Sequence, residues 1–332
     1  MPAIIETKNL TKRYGGLTAV NDLSLAVEQG AIYGFVGPNG AGKTTTMRML
    51  TTLLQPTSGE AWVAGCSTTK DARGVRRAIG YMPDFFGVYD DMKVWEYLDF
   101  FAACYEIPEV TRTGLITDLL ELVDLTHRRE DMVDTLSRGM KQRLCLARTL
   151  AHDPQVLILD EPASGLDPRA RIEIRELLME LSRMGKTIFF STHILADVAE
   201  ICTQVGIVEA GRLVAQGSMQ EMQRRLMPHR RLNITLLGRV EEARLALVGM
   251  PGVLEVKQAG EAGNGQAVAQ SAPAAPSTPG AQVLEVSFSG DDEAVSVLLR
   301  ELVGLGLPVL RFTESVHDLE EVFMHATKGI VS

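Results

Sequence analysis

No stretch of this 332-residue chain stays apolar for the roughly 18 residues that would mark a membrane-crossing helix. The start, Met1–Leu10, lacks the basic-then-apolar form of a secretion signal and goes straight into an apolar–polar alternation. Together these absences predict a cytoplasmic protein whose role at a membrane would be peripheral. Cysteine is scarce. Cys66, Cys104, Cys145 and Cys202 are far apart and form no CxxC pair, which argues against a zinc or dithiol centre and leaves reduced thiols. A basic surplus is also missing: 33 Lys and Arg stand against 42 Asp and Glu, a formal charge of −9. Nucleic-acid binders carry the opposite balance, so no nucleic-acid partner is expected. Aromatics make up only 5% of the chain, yet eight of the eighteen (2 Trp, 6 Tyr, 10 Phe) fall within Phe85–Tyr105.

What is present has α/β order. Ile4–Leu10 and Leu17–Val27 alternate as paired strands around Gly15 and Gly16. Ala31–Val36 is a short buried-strand run, and Thr44–Leu54 has helical spacing at Met47, Leu50 and Leu54. Val94, Leu98, Phe101, Ala102 and Tyr105 fall at helical intervals, and Leu115–Leu125 is a further helix. This stretch, about 84–150, is expected as a helical insertion in the α/β core. Val156–Leu159 and Thr187–Phe190 are apolar enough to be buried parallel strands, and Ile172–Met184 is an amphipathic helix. The first domain is expected to be 1–217, with a connector over 218–230.

A smaller α+β domain, 231–332, should follow. Its predicted strands are Arg231–Leu237, Val253–Gln258, Val283–Ser289 and Pro308–Thr313; its helices are Val240–Val248, Asp292–Gly304 and Asp318–Thr327. The βαββαβ order suggests a ferredoxin-like sandwich. Ala259–Gln282, rich in Ala, Gly, Pro, Ser and Gln, reads as a disordered insertion between the two middle strands.

The chemistry concentrates in a few places. Gly37, Pro38, Asn39, Gly40, Ala41, Gly42, Lys43 and Thr44 match GxxxxGK[ST]. Glycines allow successive backbone N–H groups to turn inward around phosphates at the positive end of the next helix. Lys43 would reach the β- and γ-phosphates, Thr44 would ligate Mg²⁺, and Thr45 would add a phosphate contact. A nucleoside triphosphate with Mg²⁺ is the expected ligand of this loop. Val156–Glu161 then brings Asp160 and Glu161 to the carboxyl end of a strand, where α/β sheets bind ligands. Asp160 would hold the metal through water, and Glu161 would orient or deprotonate the attacking water.

With these residues in order, the chain resembles the nucleotide-binding subunit of ABC transporters, over about residues 4–217. The fold this implies is a P-loop ATPase domain with an antiparallel β subdomain and a helical insertion. Leu136, Ser137, Arg138, Gly139 and Met140 resemble the family signature, usually LSGGQ. The resemblance implies that Ser137 and Gly139 touch the γ-phosphate of ATP held by a second copy. Ser164–Asp167 resembles the loop bridging the two sites, His193 the switch histidine, and Tyr14 the aromatic that stacks on adenine. Glu161, His193 and Lys43 are thus the expected catalytic groups.

Two departures stand out. Arg138 and Met140 replace the common signature residues. Asp84 stands where the family has Gln, a charged candidate for water-mediated metal contact that makes the site less favourable for an anionic nucleotide. The segment Ser315–Thr327 resembles the tail of bacterial ATPases of ABC-2-type exporters, including the daunorubicin-resistance group. The implied protein is an ATPase homodimer on the cytoplasmic face of the cell membrane, powering a permease on a separate chain. Phe85, Phe86 and Tyr89 are its candidate docking residues. The weighed alternatives are an importer ATPase and a soluble, non-transport ABC ATPase acting on nucleic acid or ribosomes.

Overall fold

A computed structural model describes residues 3–85, 87, 91–218, 221–222, 229–258 and 281–315. They form two compact units, one through Met222 and one following it. The first contains two sheets. In the smaller, β1 (Ala3–Tyr14) lies between β2 (Leu17–Glu28) and β4 (Ser58–Val63), with β5 (Cys66–Ser67) beyond, all antiparallel. Ile5, Leu10, Leu23, Leu25 and Val27 point into a shared core, which explains the alternation read from the sequence.

The larger sheet has the order β10-β9-β3-β8-β7-β6. Its strands are β3 (Ile32–Val36), β6 (Ile79–Met82), β7 (Val156–Asp160), β8 (Thr187–Thr192), β9 (Gln204–Glu209) and β10 (Arg212–Gly217). All neighbours are parallel except β9 and β10. Every residue of β3, β7 and β8 is buried, as expected of parallel strands covered on both faces.

The helices of this unit are α1 (Lys43–Leu50), α2 (Ala72–Ala78), α3 (Val94–Cys104), α4 (Glu109–Leu122), α5 (Arg138–Leu150), α6 (Pro168–Arg183) and α7 (Leu195–Ile201). Helix α1 ends at Leu50, so Leu54 lies beyond it, in contrast to the helix expected over Thr44–Leu54. Tyr97 is fully buried and meets Phe101 edge-on, and Arg148 sits over the Phe101 ring at 4.8 Å. These rings pack the helical region itself. Phe85, by contrast, is 88% exposed. Phe86 and Tyr89 lie outside the described residues.

The second unit has sheet order β12-β13-β11-β14, fully antiparallel, from β11 (Arg230–Leu237), β12 (Val253–Gln258), β13 (Ala281–Phe288) and β14 (Val309–Ser315). Helices α8 (Val240–Val248) and α9 (Asp292–Gly304) follow β11 and β13. This is the strand order of a split βαβ sandwich. Ala281 and Gln282 pair with Leu237 and Leu236, so the insertion read as Ala259–Gln282 gives way to strand two residues early. The rest of that insertion and the helix expected over Asp318–Thr327 lie outside the described residues.

Candidate active site

Strand β3 ends at Val36 and α1 begins at Lys43, leaving Gly37–Gly42 as the turn between them. Gly40 and Gly42 have φ of 83° and 94°, where a Cβ is strained. At Gly37 a Cβ would come within 2.3 Å of the Val208 carbonyl, so this glycine is required by the neighbouring strand as well as by the turn. Lys43 is 6% exposed and its Nζ donates to the carbonyls of Gly37 at 2.7 Å and Pro38 at 3.3 Å. The lysine thereby lies inside the curve of its own loop.

The sheet brings the distant residues alongside. Strand β8 lies between β3 and β7, with Val36 opposite Thr192 and Asp160 opposite Ser191. The carboxyl ends of these strands thus share one level. Ser191 Oγ donates to Asp160 Oδ1 at 2.6 Å, while the Glu161 N–H donates to Ser191 Oγ at 3.0 Å. One hydroxyl fixes both acidic residues. A hydrogen bond to a charged group contributes about 1.5–3 kcal/mol.

Glu161 has φ 51°, a left-handed conformation that few bulky residues adopt. Its Oε1 lies 3.4 Å from Lys43 Nζ and its Oε2 lies 2.8 Å from His193 Nδ1. Lys43, Glu161 and His193 therefore form a contiguous chain, although the sequence separates them widely.

A cleft of about 320 Å³ opens over this chain, lined by Ala19, Pro38–Thr45, Asp84, Glu161, Ser164 and His193. That is the lower range of small-ligand sites. Asp160 lies behind it, 1% exposed, and its Oδ2 is buried without a hydrogen-bond partner. A buried carboxylate oxygen without a donor is costly. Together with the Thr44 hydroxyl in the lining, it suits a hydrated divalent cation. Asp84 feels the same acidity: burial holds its carboxyl above the usual range, and Asp160 and Glu161 raise it further. Arg138 and His193 act in the opposite direction.

Other expected residues do not line the cleft. Ser137 caps α5, its Oγ accepting from the Met140 N–H at 3.3 Å, and it is exposed. Gly139 has its nearest prospective Cβ neighbour at Ala170. Tyr14, at the end of β1, is 47% exposed with the Lys12 ammonium 5.2 Å from its ring centroid. Sequence reasoning passed over two residues that matter locally. Ser191 links Asp160 to the Glu161 backbone, and Gln142, buried, donates to the Pro162 carbonyl at 2.7 Å beside Glu161. Their roles arise from pairing across the sheet and between helices, so no local pattern marks them. Arg138 donates to the Ser164 carbonyl at 3.1 Å, tying the signature segment to the turn before α6.

The same architecture occurs in known proteins. The family described as ABC transporter matches residues 20–164. Nod factor export ATP-binding protein I of Burkholderia orbicola is 41% identical over 216 residues, covering 65% of this chain and 71% of that protein. Bacitracin transport ATP-binding protein BcrA of Bacillus licheniformis is 41% identical over 226 residues, 68% of this chain and 73% of that one. Among solved structures, an ATP-binding subunit of an ABC transporter superposes with a TM-score of 0.61 at 29% identity, covering 67% of this chain and 92% of that chain. The cbiO1 protein of Clostridium perfringens, part of the ABC transporter complex cbiONQ, gives 0.60 at 26% identity, over 69% and 97%. With the phosphate loop, the Asp160–Glu161 strand end and the fold in agreement, the chain belongs to the ABC transporter family, as one of its ATP-binding and ATP-hydrolysing subunits.

Proposed function

We propose that the chain works as a homodimer closed around ATP and powers a separate membrane permease, in the direction of export. The observation that carries this reading is the incomplete lining of the open cleft: Lys43, Thr44, Glu161 and His193 line it, while Ser137 and Gly139 do not. Phosphoryl transfer depends on charge and positioning around the whole γ-phosphate. A second copy would bring its Ser137 and Gly139 to the open side, where the N-terminus of α5 favours an anion. Export is supported by relatives whose names describe Nod factor export and bacitracin transport. Among the described residues no helix is long and apolar enough to cross a membrane, and this reading assigns the membrane passage to a permease on a separate chain. Exposed Phe85, next to Asp84, is the candidate docking ring.

In this reading Gly37–Thr45 cradles the phosphates, Lys43 neutralises them and Tyr14 meets the adenine. Thr44 and, through water, Asp160 would hold Mg²⁺, with Asp84 as a further acceptor. Bound there, Mg²⁺ would supply positive charge to the triphosphate. Glu161 orients the attacking water and accepts its proton, and His193 holds the Glu161 carboxylate from the other side. Glu161→Gln tests the scheme. It keeps the shape but loses the base, so hydrolysis should fall about 100-fold, near 2.7 kcal/mol. An ATP-bound dimer should then accumulate, measured by size-exclusion chromatography with light scattering. A variant that remains monomeric with saturating ATP would remove the sandwich from the scheme.

A further inference from the structure

Asp197 is 4% exposed, and its Oδ2 is buried without a hydrogen-bond partner. Its Oδ1 accepts from Arg175 at 3.4 Å. The Arg175 side chain is 15% exposed and also meets Glu200 Oε2 at 2.7 Å. Neither Arg175 nor Asp197 lines the nucleotide cleft. Stability alone does not account for them. The desolvation of two charges offsets their attraction, and apolar side chains of similar volume often stabilise as well or better.

Their location is more informative. Arg175 lies about two turns into α6, the helix that continues from the Ser164–Asp167 turn. Asp197 lies in the first turn of α7, four residues after His193. Both residues line a small cavity whose other walls include Pro162, Ala163 and Thr192. Pro162 follows Glu161 and Thr192 precedes His193, so the ion pair sits behind the two groups that meet at 2.8 Å in the cleft. Helix α7 has only seven residues and no side-chain cap. Val198 and Ile201 seat it by apolar packing, which is not directional, and the ion pair to α6 adds a directional tie at its first turn.

We propose that Arg175–Asp197 is a positioning pair for hydrolysis: it fixes the first turn of α7, and with it His193, against α6. The inference rests on the reading that Glu161 and His193 act in hydrolysis. Small displacements of catalytic groups are expensive, about 100-fold for 1 Å. Burial raises the Asp197 carboxyl, while Arg175 and Arg171 act to keep it charged.

The test uses the full chain and four variants: Asp197→Asn, Asp197→Glu, the double Arg175→Met/Asp197→Leu, and His193→Ala. Asp197→Asn should lower kcat about tenfold or more with the KM for ATP within about twofold. Asp197→Glu should recover part of that loss. The double variant should match the parent in thermal stability while kcat stays about tenfold down. It carries the test if Asp197→Asn fails to fold. Recovery of kcat together with stability in the double variant would reduce the pair to a structural role, as would an unchanged kcat in Asp197→Asn. His193→Ala separates the two levels. A slow His193→Ala beside a normal Asp197→Asn removes only the positioning pair, whereas a normal His193→Ala removes the reading of His193 and the inference with it.

Discussion

In the first unit Lys43, Asp160, Asp197 and Glu209 are buried charged residues, whereas the described core of the second unit is built from residues such as Leu232, Ile234, Leu284, Val286 and Leu302, with Thr235 its buried polar member. Both units layer helices on sheets. They differ in what they take out of water. Buried charge is costly unless paired, so a fold keeps it where it does something that apolar packing cannot. In the first unit Lys43 lines the cleft, and Asp160 and Asp197 lie behind it. The second unit holds no comparable set among its described residues.

The largest expected break in this comparison is Lys43→Ala. It removes the buried cation and leaves Glu161 short of a partner, so ATP hydrolysis should fall about 100-fold or more, at least about 2.7 kcal/mol, by steady-state phosphate release. Activity within fivefold of the parent would separate buried charge from chemistry. Leu302→Ala should act on the other side of the contrast. It opens a cavity in an apolar core and should destabilise the second unit by about 2–5 kcal/mol in chemical denaturation. ATP affinity, followed with a fluorescent nucleotide, should not change. A smaller effect is expected from Ser137→Ala, which loses a helix cap worth about 1 kcal/mol. Hydrolysis should fall about tenfold, while nucleotide affinity at concentrations that keep the chain monomeric stays the same.

Smallest is Asp84→Gln, for which hydrolysis should stay within about tenfold, near 1.4 kcal/mol. Complete loss would reveal a specific need for the carboxylate. This substitution also has a signed pH effect. The folded protein raises the Asp84 carboxyl above its usual range, so the ionised form is disfavoured relative to the unfolded chain. The resulting cost is fully present above the raised pKa and disappears below the usual carboxylate range. Asp84→Gln should therefore raise the melting temperature slightly at neutral pH and not at pH 3.

The sequence was most legible where chemistry and backbone geometry coincide locally. The Gly37–Thr45 spacing is a loop signature, and Asp160–Glu161 ends an apolar run. The bounds of helices α8 and α9, Val240–Val248 and Asp292–Gly304, coincide with the stretches legible in the sequence. Helix α4 begins at Glu109, ahead of the Leu115 that the pattern suggests, because its first turns are largely exposed and carry little apolar periodicity. Helix α6 was read from Ile172, but Asp167 caps it and Pro168 opens it. A start set by capping chemistry precedes the first apolar position. The Ser191 link between Asp160 and Glu161 and the Arg175–Asp197 pair were not legible at all. Each joins segments 22 or more residues apart, and only the folded sheet and helix packing define the meeting.

The ladder β3-β8-β7 serves this protein as a ruler. Three stretches of chain contribute one graduation each, at Val36, at Ser191–Thr192 and at Asp160, with Val36 opposite Thr192 and Asp160 opposite Ser191, and neighbouring strands lie about 4.8 Å apart. Length between strands is carried outside the ladder, as in the helices between Met82 and Val156. A one-residue slip within a strand is not, since it turns every side chain to the opposite face. Such a protein can diversify almost anywhere along its contour while the tolerance at three strand ends stays that of a machined edge.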